Sequence, residues 1–213
     1  MSSTVKGYGL RQAYSPVQHQ VPKKHRIASG YAVSIYTGDP VKVISDGTIT
    51  LATSDGTRSG TVVSTIPIMG VFQGCEWTDS TDGRPRVSSY WPASTTTAAG
   101  TTITAYVIEA TQDVVFSTQM TNPSSGTDIQ ASVGYGAAWT PQAAGTSSTS
   151  GGYTSTGNSS TYIAEADGTS GQLQVCGIAP QITDAVTDAY VDVLVRVKSF
   201  QYGPSGNSLE AVV

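Results

Sequence analysis

Five aspartates of the N-terminal half stand beside turn residues. Asp39 precedes a proline, Asp46, Asp55 and Asp82 each precede a glycine, and Asp79 lies three residues before Asp82. Such carboxylates can hold a metal ion or perform acid/base chemistry. Aspartate before glycine or proline is also typical of tight turns, where the carboxylate accepts hydrogen bonds from nearby amides. The spacing of Asp79 and Asp82 departs from that of a calcium loop. Short apolar runs surround the Asp-Gly and Asp-Pro pairs, so we expect these aspartates to lie at the corners of a β-sheet.

The other reactive side chains do not form a catalytic pattern. Both histidines, His19 and His25, lie within the first 30 residues, so a serine or cysteine nucleophile in the remainder has no histidine base. Cys75 and Cys176 stand alone in apolar contexts, which favours two buried thiols over a disulfide. We therefore expect no enzyme activity, no bound metal and no cofactor.

The elements that position these residues are predicted to be short strands. Apolar and polar residues alternate in "YAVSIY" and, most clearly, in "YVDVLVRV". Asp-Gly between such runs is typical of hairpins. One helical turn is expected in "GTDIQASVG". Many short strands and almost no helix predict an all-β fold, a single-domain β-sandwich or barrel of jelly-roll-like character.

The chain of 213 residues fits one domain with extensions. We expect an extended basic arm over residues 1–30, a body over 31–200 and a tail over 201–213. The Ser/Thr/Gly-rich stretch 142–160 is predicted to be a long exposed loop or an extended segment. No run of about 20 apolar residues could span a bilayer, and the N-terminus lacks the apolar core of a secretory signal. These features predict a protein made in a cytoplasm, without a membrane partner.

Charge is distributed unevenly between the arm and the body. The first 30 residues contain no acid. The net charge is −4, so the remainder, with six basic residues against all 15 acidic ones, carries −9. A basic arm is attracted to an acidic neighbour, such as the body of another copy, while the acidic body disfavours nucleic acid. The predicted contact residues are Lys6, Arg11, Lys23, Lys24 and Arg26.

Aromatic residues cluster around the third Asp-Gly turn. Trp77, Tyr90 and Trp91 flank this turn, and Trp139 follows later. Three interpretations remain open: core packing, a sugar-stacking platform, or anchors in a subunit interface. Tyr90 and Trp91 form the second set of predicted interface residues.

Several short segments, taken in order, resemble the head decoration (cement) proteins of tailed bacteriophages. They are "YGLR", "IYTGDPVKV", "SDGTI", "MGVFQG", "SYWPAS", "TAYVIEA" and "VVFSTQ". The resemblance covers about residues 7–135 and continues weakly to "YVDVLVRV". It is carried by the order of the segments, since no single motif is specific.

The resemblance implies a symmetric oligomer on the outer surface of the expanded phage capsid. Such a protein bridges neighbouring capsomers and stabilises the shell, and its partners are the major capsid protein and further copies of itself. A carbohydrate- or receptor-binding β-module, as on a tail fibre, is the alternative. That alternative requires Trp77, Tyr90, Trp91 or Trp139 to be exposed as a flat platform.

Overall fold

A computed structural model of the chain describes residues 7–15, 21–52, 67–121, 129–140, 152–153, 156–168, 171–180, 188–198 and 201. These residues contain sixteen short strands and one 3-10 turn, Ile129–Ser132, and no α-helix. Among them, no helix is long and apolar enough to cross a membrane. The prediction of an all-β barrel or sandwich is confirmed. The strands are β1 (Arg11–Tyr14), β2 (Lys23–Ile27), β3 (Ile35–Tyr36), β4 (Pro40–Val43), β5 (Thr48–Leu51), β6 (Gly70–Thr78), β7 (Pro85–Ser88), β8 (Tyr90–Trp91), β9 (Ile103–Glu109), β10 (Val115–Thr121), β11 (Gly136–Thr140), β12 (Gly152–Tyr153), β13 (Asn158–Ser159), β14 (Tyr162–Gly168), β15 (Leu173–Ile178) and β16 (Tyr190–Val197).

The strands from β2 to β9 build a first closed barrel. Five of them pair in the order β4-β5-β2-β9-β6, and a pairing between β4 and β6 closes the ring. β7 adds to the outer side of β6, and β3 pairs with β8 as a separate ribbon. Closure removes most of the free sheet edges that would otherwise pair with other chains.

The later strands build a second closed barrel. The order is β10-β14-β11-β15-β16, and β16 pairs back with β10. The N-terminal strand β1 also pairs with β10, so it belongs to the second barrel although it precedes the first in sequence. In β16, the predicted alternation is confirmed: Val191, Val193, Val195 and Val197 are all buried in the barrel core.

The two barrels are packed together because two strands bury both of their faces. In β6, Val71 belongs to the core of the second barrel while Phe72 belongs to that of the first. In β9, Ile108 belongs to the core of the second barrel and Val107 to that of the first. Neighbouring side chains on a strand point to opposite faces, so each strand contributes to both cores.

Three local elements of the sequence prediction compare with the structure as follows: one is confirmed and two differ. "YAVSIY" is a strand only at Ile35–Tyr36. The expected helical turn is present, as the 3-10 turn. In the stretch predicted to be an exposed loop, Ser159 and Ser160 are buried, because this segment packs at the junction of the barrels.

The described ends of the chain are built into the barrels. The Gly9 amide donates to the Thr161 carbonyl at 3.0 Å, and the Leu10 amide donates to the Gly38 carbonyl at 2.8 Å. A Cβ atom at Gly9 would lie 2.7 Å from the Gly38 oxygen, so this crossing needs a glycine. At the other end, the Gln201 side chain accepts a hydrogen bond from the Val43 amide (2.7 Å) and donates one to the Val43 carbonyl (2.5 Å).

Candidate interaction surface

The basic residues of β2 lie on two faces of the strand. Lys23 and His25 alternate with Lys24 and Arg26, and β2 pairs with β5 on one side and β9 on the other. Two parts of the segment predicted to be an arm are strands within the sheets: β1 in the second barrel and β2 in the first. Lys6 lies outside the described residues.

One face of β2 carries an ion cluster with Glu109 of β9. The Lys23 ammonium contacts one carboxylate oxygen of Glu109, and His25 Nε2 lies 3.3 Å from the other. The Glu109 side chain is largely buried, whereas the Lys23 side chain is exposed. The positive charge of Lys23 is thus directed to an acid of its own chain.

The other face of β2 is more open to solvent. Lys24 Nζ lies 3.9 Å from Glu76 Oε1 and 5.8 Å from the centre of the Tyr106 ring. The phenol of Tyr106 hydrogen-bonds Glu76, and this bond raises the pKa of Tyr106. Exposed pairs of this kind contribute little to stability, so Lys24 can exchange Glu76 for another acid at low cost. Arg26 is exposed, and within the described part of the chain no acid pairs with it.

Arg11 is the exposed cation of β1. Its guanidinium lies 4.8 Å from the centre of the Tyr8 ring, within the range of a cation–π contact. Burial, and then the charge of Asp192, raise the pKa of the Tyr8 phenol, so this ring stays neutral. The contact fixes the direction of Arg11 and leaves its charge at the surface.

Two large apolar side chains are exposed between these cations. Tyr14 is 58% exposed and Val21 is 81% exposed, and they are two of the four large hydrophobic residues exposed in the described chain. We use the name N-terminal surface for five exposed side chains between residues 11 and 26: Arg11, Tyr14, Val21, Lys24 and Arg26. They lie on β1 of the second barrel and on β2 of the first with the residues just before it, and Lys23 is left out because its charge is paired with Glu109. The N-terminal surface combines positive charge with apolar area, which suits an acidic protein partner that has an apolar patch.

The predicted aromatic pair divides between the core and the surface. Trp91 is 0% exposed, its Nε1 donates to the Tyr31 carbonyl at 3.3 Å, and it packs edge-on against Trp77. An interface anchor needs an accessible ring, so the structure assigns Trp91 to the core of the first barrel. Tyr90 is half-buried and stacks on Tyr36 with ring centres 5.4 Å apart.

Trp91 and Trp139 are too deeply buried to form the exposed aromatic platform that a sugar-binding module requires. Trp91 is enclosed in the core of the first barrel, and Trp139 is enclosed in the core of the second. Trp77 is partly buried and presents its ring edge-on to Trp91. Core packing is therefore the role that the structure shows for Trp91 and Trp139.

The exposed aspartates act as turn residues. Asp46 Oδ1 accepts hydrogen bonds from the Thr48 amide (2.8 Å) and the Thr48 hydroxyl (2.7 Å), and these bonds lower the pKa of Asp46. Asp79 and Asp82 accept bonds from turn amides, and both contact Arg86. The described residues contain no group of three or more acids, histidines or cysteines placed to hold a metal ion. Asp55 lies outside the described residues.

Asp39 is more than a turn residue, and no local sequence pattern indicates this. Its side chain is 1% exposed. It accepts hydrogen bonds from the Tyr36 amide (2.8 Å), from Ser159 Oγ (2.5 Å) and from Thr161 Oγ1 (3.3 Å). Burial raises the pKa of Asp39 to about 7, although these three bonds oppose the rise.

Both cysteines are free, and the prediction of two buried thiols is confirmed for Cys75 only. Cys75 is buried in the first barrel, and Cys176 is partly exposed in β15 of the second. Arg196 Nε lies 3.0 Å from the Cys176 sulfur. Burial raises the pKa of the Cys75 thiol to about 12, so this thiol is unreactive at neutral pH.

The fold and the surface together define an all-β protein of two closed, interlocked barrels with a cationic and apolar N-terminal surface. Comparison with known proteins finds no matching family model, no matching curated protein and no matching solved structure.

Proposed function

We propose that the chain is a head decoration protein of a tailed phage. In this role it is a structural virion protein without enzyme activity, made in the host cytoplasm. It binds the outer surface of the capsid, bridges capsomers and stabilises the expanded head. Its partners are the major capsid protein and other copies of itself, in a homo-oligomer.

The observation that carries the proposal is the composition of the N-terminal surface. Three exposed cations, Arg11, Lys24 and Arg26, flank two exposed apolar side chains, Tyr14 and Val21, in residues 11–26. The cations steer the acidic chain toward an acidic protein surface, and Tyr14 and Val21 supply apolar area to bury once contact is made. The resemblance of residues 7–135 to decoration proteins supports the same assignment.

The architecture suits a rigid structural role. Each barrel is closed, and β6 and β9 contribute to both cores, so the two barrels share part of their packing. A rigid body transmits load between two attachment points without deforming. Many copies, each with a modest contact, would strengthen a shell through multivalency.

The test is co-sedimentation with expanded phage heads that lack this protein. A deletion of the first 28 residues is unsuitable, because it removes all of β1 and β2 from the barrels. We would compare the full chain with the double variant Tyr14→Ser, Val21→Ser. The matched control is Val87→Ser, Tyr135→Ser, which removes the other two large hydrophobic side chains that are exposed among the described residues.

We expect saturable pelleting of the full chain and the control, and at least roughly tenfold weaker binding of the Tyr14/Val21 variant, since each buried side chain is worth about 1.5–3 kcal/mol. A second comparison, Arg11→Glu with Arg26→Glu, should weaken binding most at low salt. If the full chain does not pellet at all, the decoration proposal is wrong. If both double variants pellet equally, the role stands and the contact lies elsewhere on the body.

A further inference from the structure

A buried carboxyl group joins the two barrels. Asp39, in the turn before β4, is bonded through one oxygen to the Tyr36 amide of the first barrel. Its other oxygen is bonded to Ser159 and Thr161, which lead into β14 of the second barrel. All three donors are uncharged, and no described cation forms an ion pair with Asp39.

The surrounding backbone forms one hydrogen-bonded layer. The Thr37 amide donates to the Gly157 carbonyl (2.9 Å), and the Ser159 amide donates to the Thr37 carbonyl (2.8 Å). The segment that contains Gly9 covers the same place. The Gly9 amide donates to the Thr161 carbonyl, and the Leu10 amide donates to the Gly38 carbonyl. The Asp39 side chain crosses this layer, in a site closed to solvent.

An ionised carboxylate in such a site loses its hydration, and hydrogen bonds from neutral groups replace only part of it. Burial accordingly raises the pKa of Asp39 to about 7, although the hydrogen bonds from Ser159, Tyr36 and Thr161 lower it. Among neighbouring titratable groups, the phenol of Tyr31 also has a raised pKa, from burial first and from the charge of Asp39 as a smaller cause. Residues 157–161 contribute no titratable side chain, and the covering segment contributes Tyr8, which faces Asp192 and Arg11.

We propose that Asp39 and residues 157–161 form a proton-dependent latch between the barrels, held more tightly when the carboxyl group is protonated than when it is ionised. The protonated group keeps its contact with Ser159, because a hydroxyl can rotate from donor to acceptor. Any opening that brings Asp39 into water is favoured by ionisation. The inference concerns the fold itself and does not depend on the proposed function.

The direction of the pH dependence follows from linkage. The pKa of Asp39 is raised in the folded state from its usual 3.8 to about 7, so the folded chain binds the proton more strongly than the unfolded chain. The stabilisation is complete below the unfolded pKa and is lost as the pH rises through 7. Between pH 5 and pH 8 the folding equilibrium constant should fall roughly 100-fold from this group.

The first experiment is chemical denaturation of the full chain from pH 5 to pH 8, for the wild type, Asp39→Asn and the control Asp46→Asn. We expect the roughly 100-fold fall in the wild type and in the control, whose carboxylate is exposed and ionised throughout this range. Asp39→Asn should be nearly independent of pH, since the amide fills the same space without a proton to lose. A wild-type curve parallel to that of Asp39→Asn would overturn the proposal.

A second measurement keeps the proposal testable if Asp39→Asn does not fold. Carboxyl ¹³C resonances of the wild type give the titration midpoint of Asp39 directly, and a midpoint below about 5 would contradict the inference. Amide hydrogen exchange at Ser159 and Thr161, corrected for the intrinsic rate, should accelerate as the pH passes 7. If Asp39 titrates near 7 and this protection does not change with pH, the group is merely buried and the latch does not exist.

Discussion

Replacing Gln201 with alanine should destabilise the first barrel, because this side chain completes the hydrogen bonding of β4. β4 pairs with β6 only at Pro40 and Val41, so the amide and carbonyl of Val43 have no strand partner on that side. The carboxamide of Gln201 fills the place of that strand, accepting from the Val43 amide and donating to the Val43 carbonyl. Gln201 is itself buried, so bulk water does not compete for these bonds.

The magnitude follows from the two groups left without partners. A buried amide or carbonyl that loses its partner costs about 1–3 kcal/mol, so the two together give about 2–6 kcal/mol. Water entering the vacated space recovers part of this, and we expect Gln201→Ala to lower the free energy of unfolding by about 2–4 kcal/mol.

Urea denaturation followed by tryptophan fluorescence measures the effect, since Trp91 and Trp139 are buried and report unfolding of both barrels. The matched control is Gln174→Ala, which removes an exposed bond of 3.2 Å to the Gly134 carbonyl and should cost less than about 1 kcal/mol. A Gln201→Ala variant within about 0.5 kcal/mol of the wild type would refute the idea that a side chain substitutes for a strand here.

Two further predictions test the cores. A thiol reagent at neutral pH should label Cys176 in the folded protein and leave Cys75 unlabelled until unfolding, because Cys75 is buried and its thiol pKa is raised to about 12; equal labelling rates would contradict this packing. Gly70→Ala should destabilise the chain by about 2–3 kcal/mol in thermal or urea unfolding, since its Cβ would lie 2.3 Å from the Ile108 oxygen. The control Gly177→Ala has no atom within 4 Å of the new Cβ and should stay within about 1 kcal/mol of the wild type.

What could be predicted from the sequence depends on how far apart in the chain the contacting residues lie. Asp46 was recognisable as a turn residue because its partner, Thr48, is two residues away. Asp39 stands in a similar local context, yet its partner Ser159 comes 120 residues later, so no local pattern distinguishes the two aspartates. Likewise, the sequence predicts an extended basic arm at Lys23, because no local pattern identifies its acidic partner Glu109, which lies in another strand.

The all-β class was predictable and the number of barrels was not. The valines of β16 alternate with polar residues, which identifies a strand with one buried face. In β6 and β9, pairs such as Val71–Phe72 and Val107–Ile108 interrupt that alternation. Consecutive apolar residues indicate that both faces are buried, but they do not reveal that each face belongs to a different core.

The position of β1 has a consequence for the order in which the chain can fold during synthesis. β2 to β9 complete the first barrel once residue 109 has been made, whereas β1 must remain unpaired until its partner β10 follows. The bond between Gly9 and Thr161 requires an even longer wait. Contacts between such distant parts of a chain close slowly. The residues of β1 are therefore made before β2 to β10 and are fixed after most of them, so a chaperone has a long opportunity to bind at this strand.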